Sequence, residues 1–407
     1  MTEGAPQQEP APIAEPKPEP PAEPEPEPEP ELGPQNEPES EPGPQADPES
    51  GPHPGSALDR EPEQTGPGLS FGFNLGKIEG HGEDSDPILR DGQELGLVAV
   101  FDGMGGAGGT VYETPDGPRT GAYLASRVAR DVVEARMVAL LDPKWNLDGP
   151  AAAADLHRSV RDALQTRLTE LHAPVSGLRS RLLRALPTTM ALVALQRRDA
   201  GGDRWVAHVF WAGDSRAYVF LPGAGAQQLS VDDIRDHGDA MANLREDSVV
   251  SNAMSADVDF VVHHRRVDLT APFLVVAATD GCFGYLPSPM HFEHLVLAAL
   301  RDAPDTDGWS GAVQTATSEV TGDDASMSVL GVGTDHDEFR ALFASRTAEL
   351  EQRWITPLDA LAADVQRREG ELDELRTAQR QRQAQLWAAY KPAYERQLTT
   401  AGGRERP

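Results

Sequence analysis

Cysteine and long apolar runs are what this sequence most conspicuously lacks. Among 407 residues Cys282 is the single cysteine, so a disulfide framework and a cysteine-based zinc site are both excluded. No uninterrupted apolar stretch reaches the roughly 18 residues that a transmembrane helix needs. The opening segment, MTEGAPQQEPAPIAEP, has neither the basic nor the apolar region of a secretory signal. We therefore expect a soluble protein of the cytoplasm.

Basic residues are also scarce. The chain has 36 Lys and Arg against 66 Asp and Glu, and its formal net charge is −30. A surface of this sign repels the phosphates of nucleic acids and the headgroups of anionic membranes. The charge balance therefore predicts that neither nucleic acid nor membrane is a partner.

Half of the negative charge lies in the first part of the chain. Residues 1–66 contain 17 acidic side chains against only Lys17 and Arg60, in repeats such as EPEPEPEPEPE. A segment with almost no large apolar residue cannot bury enough surface to offset the entropy of ordering. We expect residues 1–67 to be a disordered acidic tail, extended by its prolines. It would act as a solubilising tail or, alternatively, as a spacer or docking arm.

A folded domain is expected over residues 68–335, because short apolar blocks there alternate with blocks of helical spacing. The predicted strands are 94–101, 187–195, 204–212, 273–279 and 325–332. The predicted helices are 119–141, 155–172, 291–303 and 310–320. Strands come in adjacent pairs with helices grouped between them, which indicates an α+β fold with antiparallel sheets covered by helices.

The last section, 336–400, is rich in Glu, Arg, Gln, Ala and Leu and predicts a C-terminal helical extension that Pro357 divides into two helices. In the second helix, apolar residues follow the four-three spacing of a coiled coil. The positions of this spacing are Leu361, Val365, Arg368, Leu372, Leu375, Gln379, Arg382 and Leu386. Because three of the eight are polar, we expect a helical hairpin packed on the domain, with homodimerisation or binding of a partner through these helices as the alternative.

Aspartates recur where the predicted strands end or begin. Asp102 follows LVAVF, Asp214 follows HVFWAG, Asp280 follows LVVAAT, and Asp323 and Asp324 directly precede ASMSVLGV. One aspartate after a strand is ordinary turn chemistry. Several carboxylates that converge on one rim of packed sheets repel each other, and bound cations would relieve that repulsion.

The ligand types indicate which cations these would be. Oxygen donors without cysteines or paired histidines favour hard ions such as Mg²⁺ or Mn²⁺ over zinc. Two such ions about 4 Å apart can activate a water for in-line attack on a phosphoryl group. The glycines after Asp102 would let the backbone of Gly103 approach the ions closely. The stretch DGMGGAGG is neither a dinucleotide fingerprint nor a P-loop, so a nucleotide site is disfavoured.

Seven collinear segments resemble the metal-dependent protein phosphatases of the type 2C serine/threonine class, in their bacterial form. The resemblance covers residues 70–333. The segments are GED (82–84), VFDGMGG (100–106), PTTMALVAL (187–195), WAGDSRAYVF (211–220), LSVDD (229–233), ATDGCFGYL (278–286) and GDDASMSVLGV (322–332). It implies a four-layer α-β-β-α sandwich of two antiparallel sheets, with a two-metal centre at one end.

The resemblance also implies ligands. Asp102 would bridge two Mn²⁺ or Mg²⁺ ions and Gly103 would offer its carbonyl oxygen. The remaining metal positions implied by the family are Asp84, Asp280 and Asp323, with Glu83 as an outer ligand and Asp214 as a ligand of a third ion.

Several positions depart from the family pattern. Glu79 stands where the family has an arginine that binds the substrate phosphate. Lys77 and His81 lie nearby and are our candidates for substrate binding, with His81 also a candidate catalytic residue. Asp324 replaces the asparagine of the usual Asp-Asn pair, and Met104 stands where eukaryotic members carry histidine.

Two functions follow as hypotheses. The first is a serine/threonine protein phosphatase that hydrolyses phosphoprotein monoesters with a water held between two Mn²⁺ or Mg²⁺ ions, without a covalent intermediate. The second is a weakly active or inactive phosphatase-like module that binds or regulates a partner.

Overall fold

A computed structural model describes most of the chain after the acidic segment. The described residues are 69–78, 80–141, 147–171, 184–199, 201–235, 239–244 and 249–397. The predicted tail 1–67 lies outside them, as do Glu79 and the end of the predicted extension, 398–400.

Twelve strands are described, and all of their pairings are antiparallel. They are β1 (Leu69–Leu75), β2 (Ile88–Asp91), β3 (Leu95–Val100), β4 (Val111–Thr114), β5 (Gly117–Thr120), β6 (Met190–Arg197), β7 (Arg204–Ala212), β8 (Arg216–Leu221), β9 (Gly225–Gln228), β10 (His263–Thr270), β11 (Phe273–Ala278) and β12 (Ala325–Val332). One five-stranded sheet has the order β1-β12-β11-β8-β9, a second has the order β10-β7-β6-β3-β2, and β4 and β5 form a separate hairpin.

Helices fill the connections. They are α1 (Gly105–Gly108), α2 (Gly121–Leu140), α3 (Gly149–Glu170), α4 (Asp280–Phe283), α5 (Pro289–Asp302), α6 (Thr306–Val320), α7 (His336–Leu350) and α8 (Thr356–Tyr394). Both α1 and α4 are single turns. None of the described helices combines the length and the apolar character required to cross a bilayer.

Three apolar layers hold the domain together. On β3, Leu97 and Ala99 pack towards α2 and α3, while Val98 and Val100 point to the opposite sheet, as the two-residue period of a strand requires. The other sheet packs its outer face on α5, α6 and α7, with Trp309 fully buried there. Helix, sheet, sheet and helix therefore form four layers, which confirms the predicted α-β-β-α sandwich.

The C-terminal extension differs from the predicted hairpin. A π-helical turn over Glu351–Ile355 joins α7 to α8, and the residues at both junctions keep helical dihedral angles. The amide of Thr356 donates to Glu351 rather than to the residue four before it, which makes room for the ring of Pro357. The boundary that Pro357 predicts is present, but the prediction of a packed hairpin is wrong, because α8 buries none of its residues.

Candidate active site

The five aspartates predicted at strand ends lie at one end of the sandwich. Asp102 follows β3, Asp214 occupies the turn between β7 and β8, and Asp280 begins α4 directly after β11. Asp323 and Asp324 directly precede β12. Asp102 comes from one sheet, Asp280 comes from the other, and the turn containing Asp214 connects the two. The rim therefore collects carboxylates from both sheets.

Asp102 lies in the middle of this group. Burial raises the pKa of its carboxyl well above the usual range, and the charges of Asp280, Asp84 and Asp214 raise it further. A carboxylate whose charge is opposed from three sides is unstable without a proton or a cation. The electrostatics therefore identify Asp102 as the point where added positive charge would stabilise the site most.

Asp84 reaches the same point from the segment between β1 and β2. One of its oxygens, Oδ2, accepts a 2.9 Å hydrogen bond from the hydroxyl of Thr279. The other, Oδ1, is buried and finds no hydrogen-bond donor among the described residues. Burial raises the pKa of Asp84 to about 7, and the charges of Asp280 and Asp324 add to the effect. The unpaired oxygen is therefore available as a ligand.

Asp214 and Asp280 form the neighbouring part of the rim. Burial raises the pKa of Asp214 to about 7, with the charge of Asp280 as the next cause. Burial likewise raises the pKa of Asp280 to about 6, with the exposed Asp323 as the next cause. The oxygen Oδ1 of Asp214 is also buried without a donor in the described part of the chain. Both side chains line a cleft of about 200 Å³.

Arg216 stabilises the cleft from below. Its guanidinium makes hydrogen bonds of 3.0 and 2.6 Å to the two carboxylate oxygens of Asp232, and both side chains are only 3% exposed. Arg216 thus has the structural role expected of an arginine at a sheet end. Since its charge is already paired with Asp232, it leaves the repulsion among the rim aspartates largely uncompensated.

Glu83 lies beside the glycine-rich segment. Its Oε1 accepts a 2.6 Å hydrogen bond from the hydroxyl of Thr120. A Cβ on Gly105 would lie 2.0 Å from Oε2 of Glu83, and a Cβ on Gly103 would lie 2.5 Å from the carbonyl oxygen of Glu83. The absence of side chains at these two glycines therefore allows the acidic loop to pack against the segment that follows Asp102.

Two threonines fix the backbone at Asp102. The carbonyl oxygen of Asp102 accepts hydrogen bonds from the hydroxyl of Thr188, at 2.6 Å, and from the amide of Thr189, at 2.9 Å. The hydroxyl of Thr189 in turn contacts that of Ser215 at 2.6 Å. The PTTM segment therefore ties Asp102 to the turn that contains Asp214.

The donor set fits hard divalent cations in its chemistry. All donors are oxygens, two of them buried and unpaired, and the carboxylates repel one another. In the parts of the chain that are described, no three His, Cys, Asp or Glu side chains are already arranged as around an ion.

The sequence from residue 83 to residue 313 matches the family model described as protein phosphatase 2C. This range is more than half of the chain. The chain belongs to the protein phosphatase 2C family. The match includes Asp84, Asp102, Asp214 and Asp280, whereas Asp323 lies beyond its end. The predicted family is thereby confirmed.

Solved structures of this family resemble the domain at low identity. The serine/threonine phosphatase PstP/Ppp of Mycobacterium tuberculosis is 19% identical, with 65% of this chain and 98% of that chain covered and a TM-score of 0.44. The phosphatase Stp1 of Staphylococcus aureus is 14% identical, with 65% and 95% covered and a TM-score of 0.46. Curated proteins gave no match by sequence comparison.

The predicted substrate-binding residues of this phosphatase 2C chain lie on the loop before Glu83. Lys77 and His81 are both exposed. The loop is tied down by Asp324, which accepts hydrogen bonds from the amides of Lys77, at 2.7 Å, and Glu83, at 2.5 Å. Asp324 thus anchors the loop through its carboxylate. Glu79, the departure from the family arginine, lies outside the described residues, and the roles of Lys77 and His81 stay predictions.

Two arginines near this loop were missed by sequence reasoning. Arg127 on α2 donates to the carbonyl oxygens of Gly82 and Glu83, at 3.1 and 3.2 Å. Arg119 at the end of the β4–β5 hairpin donates to the carbonyl of Gly80 at 3.1 Å, and both guanidiniums lie over the ring of Tyr123. No sequence signal marks them, because they are about 40 residues from the loop that they contact.

The two histidines at the start of β10, His263 and His264, both find partners that are distant in the sequence. Nε2 of His263 lies 3.0 Å from Oδ1 of Asp233, and Nε2 of His264 lies 3.1 Å from Nδ1 of the buried His208 on the neighbouring strand β7. Strand pairing brings His208 to His264, whereas Asp233 reaches His263 from the segment that follows β9.

Proposed function

We propose that this chain is a metal-dependent phosphatase acting on phosphoserine and phosphothreonine in proteins. The observation that carries the proposal is the convergence of Asp84, Asp102, Asp214 and Asp280, from both sheets, in a chain of the phosphatase 2C family. A rim with only a structural role would not place buried carboxylates next to one another, since their mutual repulsion destabilises the folded state.

The residues that would hold the cations are those with free oxygens at the rim. We propose Asp102, Asp280 and the carbonyl of Gly103 for two ions, with Asp84 and Asp323 completing the set, Glu83 as an outer ligand and Asp214 for a third ion. When bound, Mn²⁺ or Mg²⁺ supplies the positive charge that stabilises phosphoryl oxygens and lowers the pKa of the attacking water.

The chain's own residues position these ligands. Thr279 holds one oxygen of Asp84 and leaves the other free, while Thr188 and Thr189 fix the backbone of Asp102. Thr120 holds the carboxylate of Glu83 beside the glycine-rich segment. The ligand orientations are therefore set by threonines on three different segments.

Arg119 is our proposal for capture of the substrate phosphate. Its Nη1 contacts the carbonyl of Gly80, the residue next to position 79, where the family has its arginine. Among the described residues Arg119 uses only Nη1 in a hydrogen bond, whereas Arg127 directs both of its Nη groups to the backbone of residues 82, 83 and 123. Arg119 therefore retains the donor capacity that a phosphate requires. Lys77 and His81 would assist from the exposed face of the loop.

The alternative function is a phosphatase-like module that binds without turnover. It is favoured by the glutamate at position 79, which cannot bind a phosphate. Calorimetry with Mn²⁺ and a hydrolysis assay on p-nitrophenyl phosphate and phosphopeptides separate the two. The proposed function requires both metal binding and hydrolysis with Mn²⁺ or Mg²⁺. Metal binding without hydrolysis of either substrate would establish the alternative.

A further inference from the structure

Helix α8 has the exposed surface of an unpaired coiled-coil strand. It has 39 residues, a length of about 58 Å at ~1.5 Å per residue, and none of them is buried. Large apolar side chains on it are more than half exposed, including Leu361, Leu375 and Leu386. A helix of this length gains little stability from its own backbone without apolar contacts.

These apolar residues belong to a four-three seam. The seam consists of Leu358, Leu361, Val365, Arg368, Leu372, Leu375, Gln379, Arg382, Leu386 and Ala389. In a parallel pair, identical seam residues face each other. That arrangement would place Arg368 against Arg368 and Arg382 against Arg382, which is destabilising in a partly buried layer.

Charge along α8 is divided between its two halves. Residues 356–375 contain six acidic and two basic side chains, whereas residues 376–394 contain four basic and no acidic ones. A parallel pair would align the two acidic halves. An antiparallel pair would align the acidic half of one copy with the basic half of the other.

We propose that α8 pairs antiparallel with α8 of a second copy of this chain. In one register, the apolar seam residues of one copy mostly face apolar seam residues of the other. It sets Leu372 against Leu375, Leu361 against Leu386 and Leu358 against Ala389 of the second copy. These three kinds of layer, each present twice by symmetry, are entirely apolar, and the layer of Arg368 against Gln379, also present twice, is entirely polar.

Only one kind of layer in this register is mixed, because Val365 of each copy faces Arg382 of the other. A surface groove on α8 is lined by Gln379, Arg382, Gln383 and Leu386, together with two aromatic residues. These four have the spacing of a hole that receives one side chain of a facing helix. Val365 of the second copy would occupy that hole, with the stem of Arg382 lying along it.

Neighbouring antiparallel registers are poorer. A shift of one heptad in one direction sets Leu361 against Gln379 and Leu372 against Arg368. The shift in the other direction sets Leu386 against Arg368 and Leu375 against Gln379. The favoured register also brings Glu369 of each copy opposite Arg376 of the other, which adds attraction across the pair.

The full chain tests this proposal through its mass. Light scattering should give twice the 43.8 kDa of one chain. Leu375→Glu should raise the apparent dissociation constant about tenfold or more, because it introduces a charge into a central apolar layer. Thr377→Glu, which adds the same charge on the face away from the seam, should leave the dimer intact. A monomer at every concentration, or an assembly larger than a dimer, would overturn the proposal.

Disulfide trapping tests the orientation. Leu361→Cys and Leu386→Cys chains, oxidised separately, should remain uncrosslinked, and a mixture should give a heterodimer that joins positions 361 and 386. The native Cys282 is buried and does not interfere. Crosslinks between identical positions, or no crosslink in the mixture, would show that the antiparallel pairing is wrong.

Discussion

At the scale of single residues, the candidate site consists of carboxylates whose orientation depends on hydroxyl groups far away in the sequence. Asp102, Asp214, Asp280 and Asp323 were predictable because each follows or precedes an apolar strand, whereas Asp84 was implied only by the family resemblance. Their partners were not. Thr279 meets Asp84 across 195 residues, and Asp324 meets the amide of Glu83 across 241. Such contacts exist only once the sheets have paired, so no local pattern indicates them.

Arg119→Ala tests the proposed phosphate capture. Loss of a hydrogen bond between charged groups, worth ~1.5–3 kcal/mol, should raise KM for a phosphopeptide about tenfold or more and change kcat much less. Arg119→Lys should recover part of the affinity. Arg90→Ala, which removes an exposed arginine paired with Glu134, is the matched control and should behave as wild type. An unchanged KM in Arg119→Ala would refute the assignment.

Arg216→Leu tests the buried ion pair below the cleft. The substitution leaves Asp232 charged and buried without its guanidinium, so the free energy of unfolding should fall by about 3–5 kcal/mol. The double variant with Asp232→Leu should recover part of this loss, because it removes the unpaired charge. Urea titrations measure both. A cost below about 1 kcal/mol for Arg216→Leu would contradict the importance of the pair.

At the scale of elements, the long buried strands were predicted well and the short ones were not. β7 and β12 were predicted with their observed bounds, 204–212 and 325–332, since continuous apolar runs identify buried strands. The patterns did not mark the edge strands β1 and β10, the six-residue β8, or the short β2, β4, β5 and β9. Four-residue strands with polar residues have too little periodicity to be recognised, and the hairpin that delivers Arg119 is one of these.

The pairing of β7 with β10 creates a pH-dependent contribution to stability. Burial, followed by the neighbouring His264, lowers the pKa of His208 to about 4, and the charge of Asp268 opposes the shift. Between pH ~6.5 and ~4 the unfolded chain therefore binds a proton at His208 that the folded chain does not. The contribution of this residue to stability is complete above this range and is lost as the pH falls through it.

His208→Leu should therefore weaken the dependence of stability on acid. On lowering the pH from 7 to 5, the wild type should lose about 2 kcal/mol more free energy of unfolding than the variant. Urea titrations at the two pH values measure this difference. Equal losses in the two proteins would show that His208 is protonated in the folded state.

At the scale of the whole molecule, α8 meets the phosphatase 2C domain through a polar contact, between Asp359 and Nε2 of His291 at 3.3 Å, and not through the apolar core. The domain has its own three apolar layers, whereas α8 buries no residue. The sequence predicted where this helix lies in the chain. It did not predict that the helix leaves its apolar seam exposed, because the seam residues are equally compatible with packing on the domain.

Removal of residues 356–407 tests this separation. The truncated chain should hydrolyse p-nitrophenyl phosphate with unchanged kcat/KM, and it should be a monomer by light scattering. Its unfolding temperature should become independent of protein concentration, since only dimerisation makes the unfolding temperature depend on concentration. A loss of the folded domain on truncation would show that α8 contributes to the core.

The central claim, that the converging aspartates form the catalytic metal site, is tested most directly by Asp102→Ala assayed with Mn²⁺ on a phosphopeptide. The wild type should hydrolyse the peptide and bind Mn²⁺. The variant should lose hydrolysis and bind Mn²⁺ more weakly, while its metal-free form unfolds at the same or a higher temperature, because the repulsion around Asp102 is relieved. Full activity in Asp102→Ala, or an inactive wild type, would contradict the account.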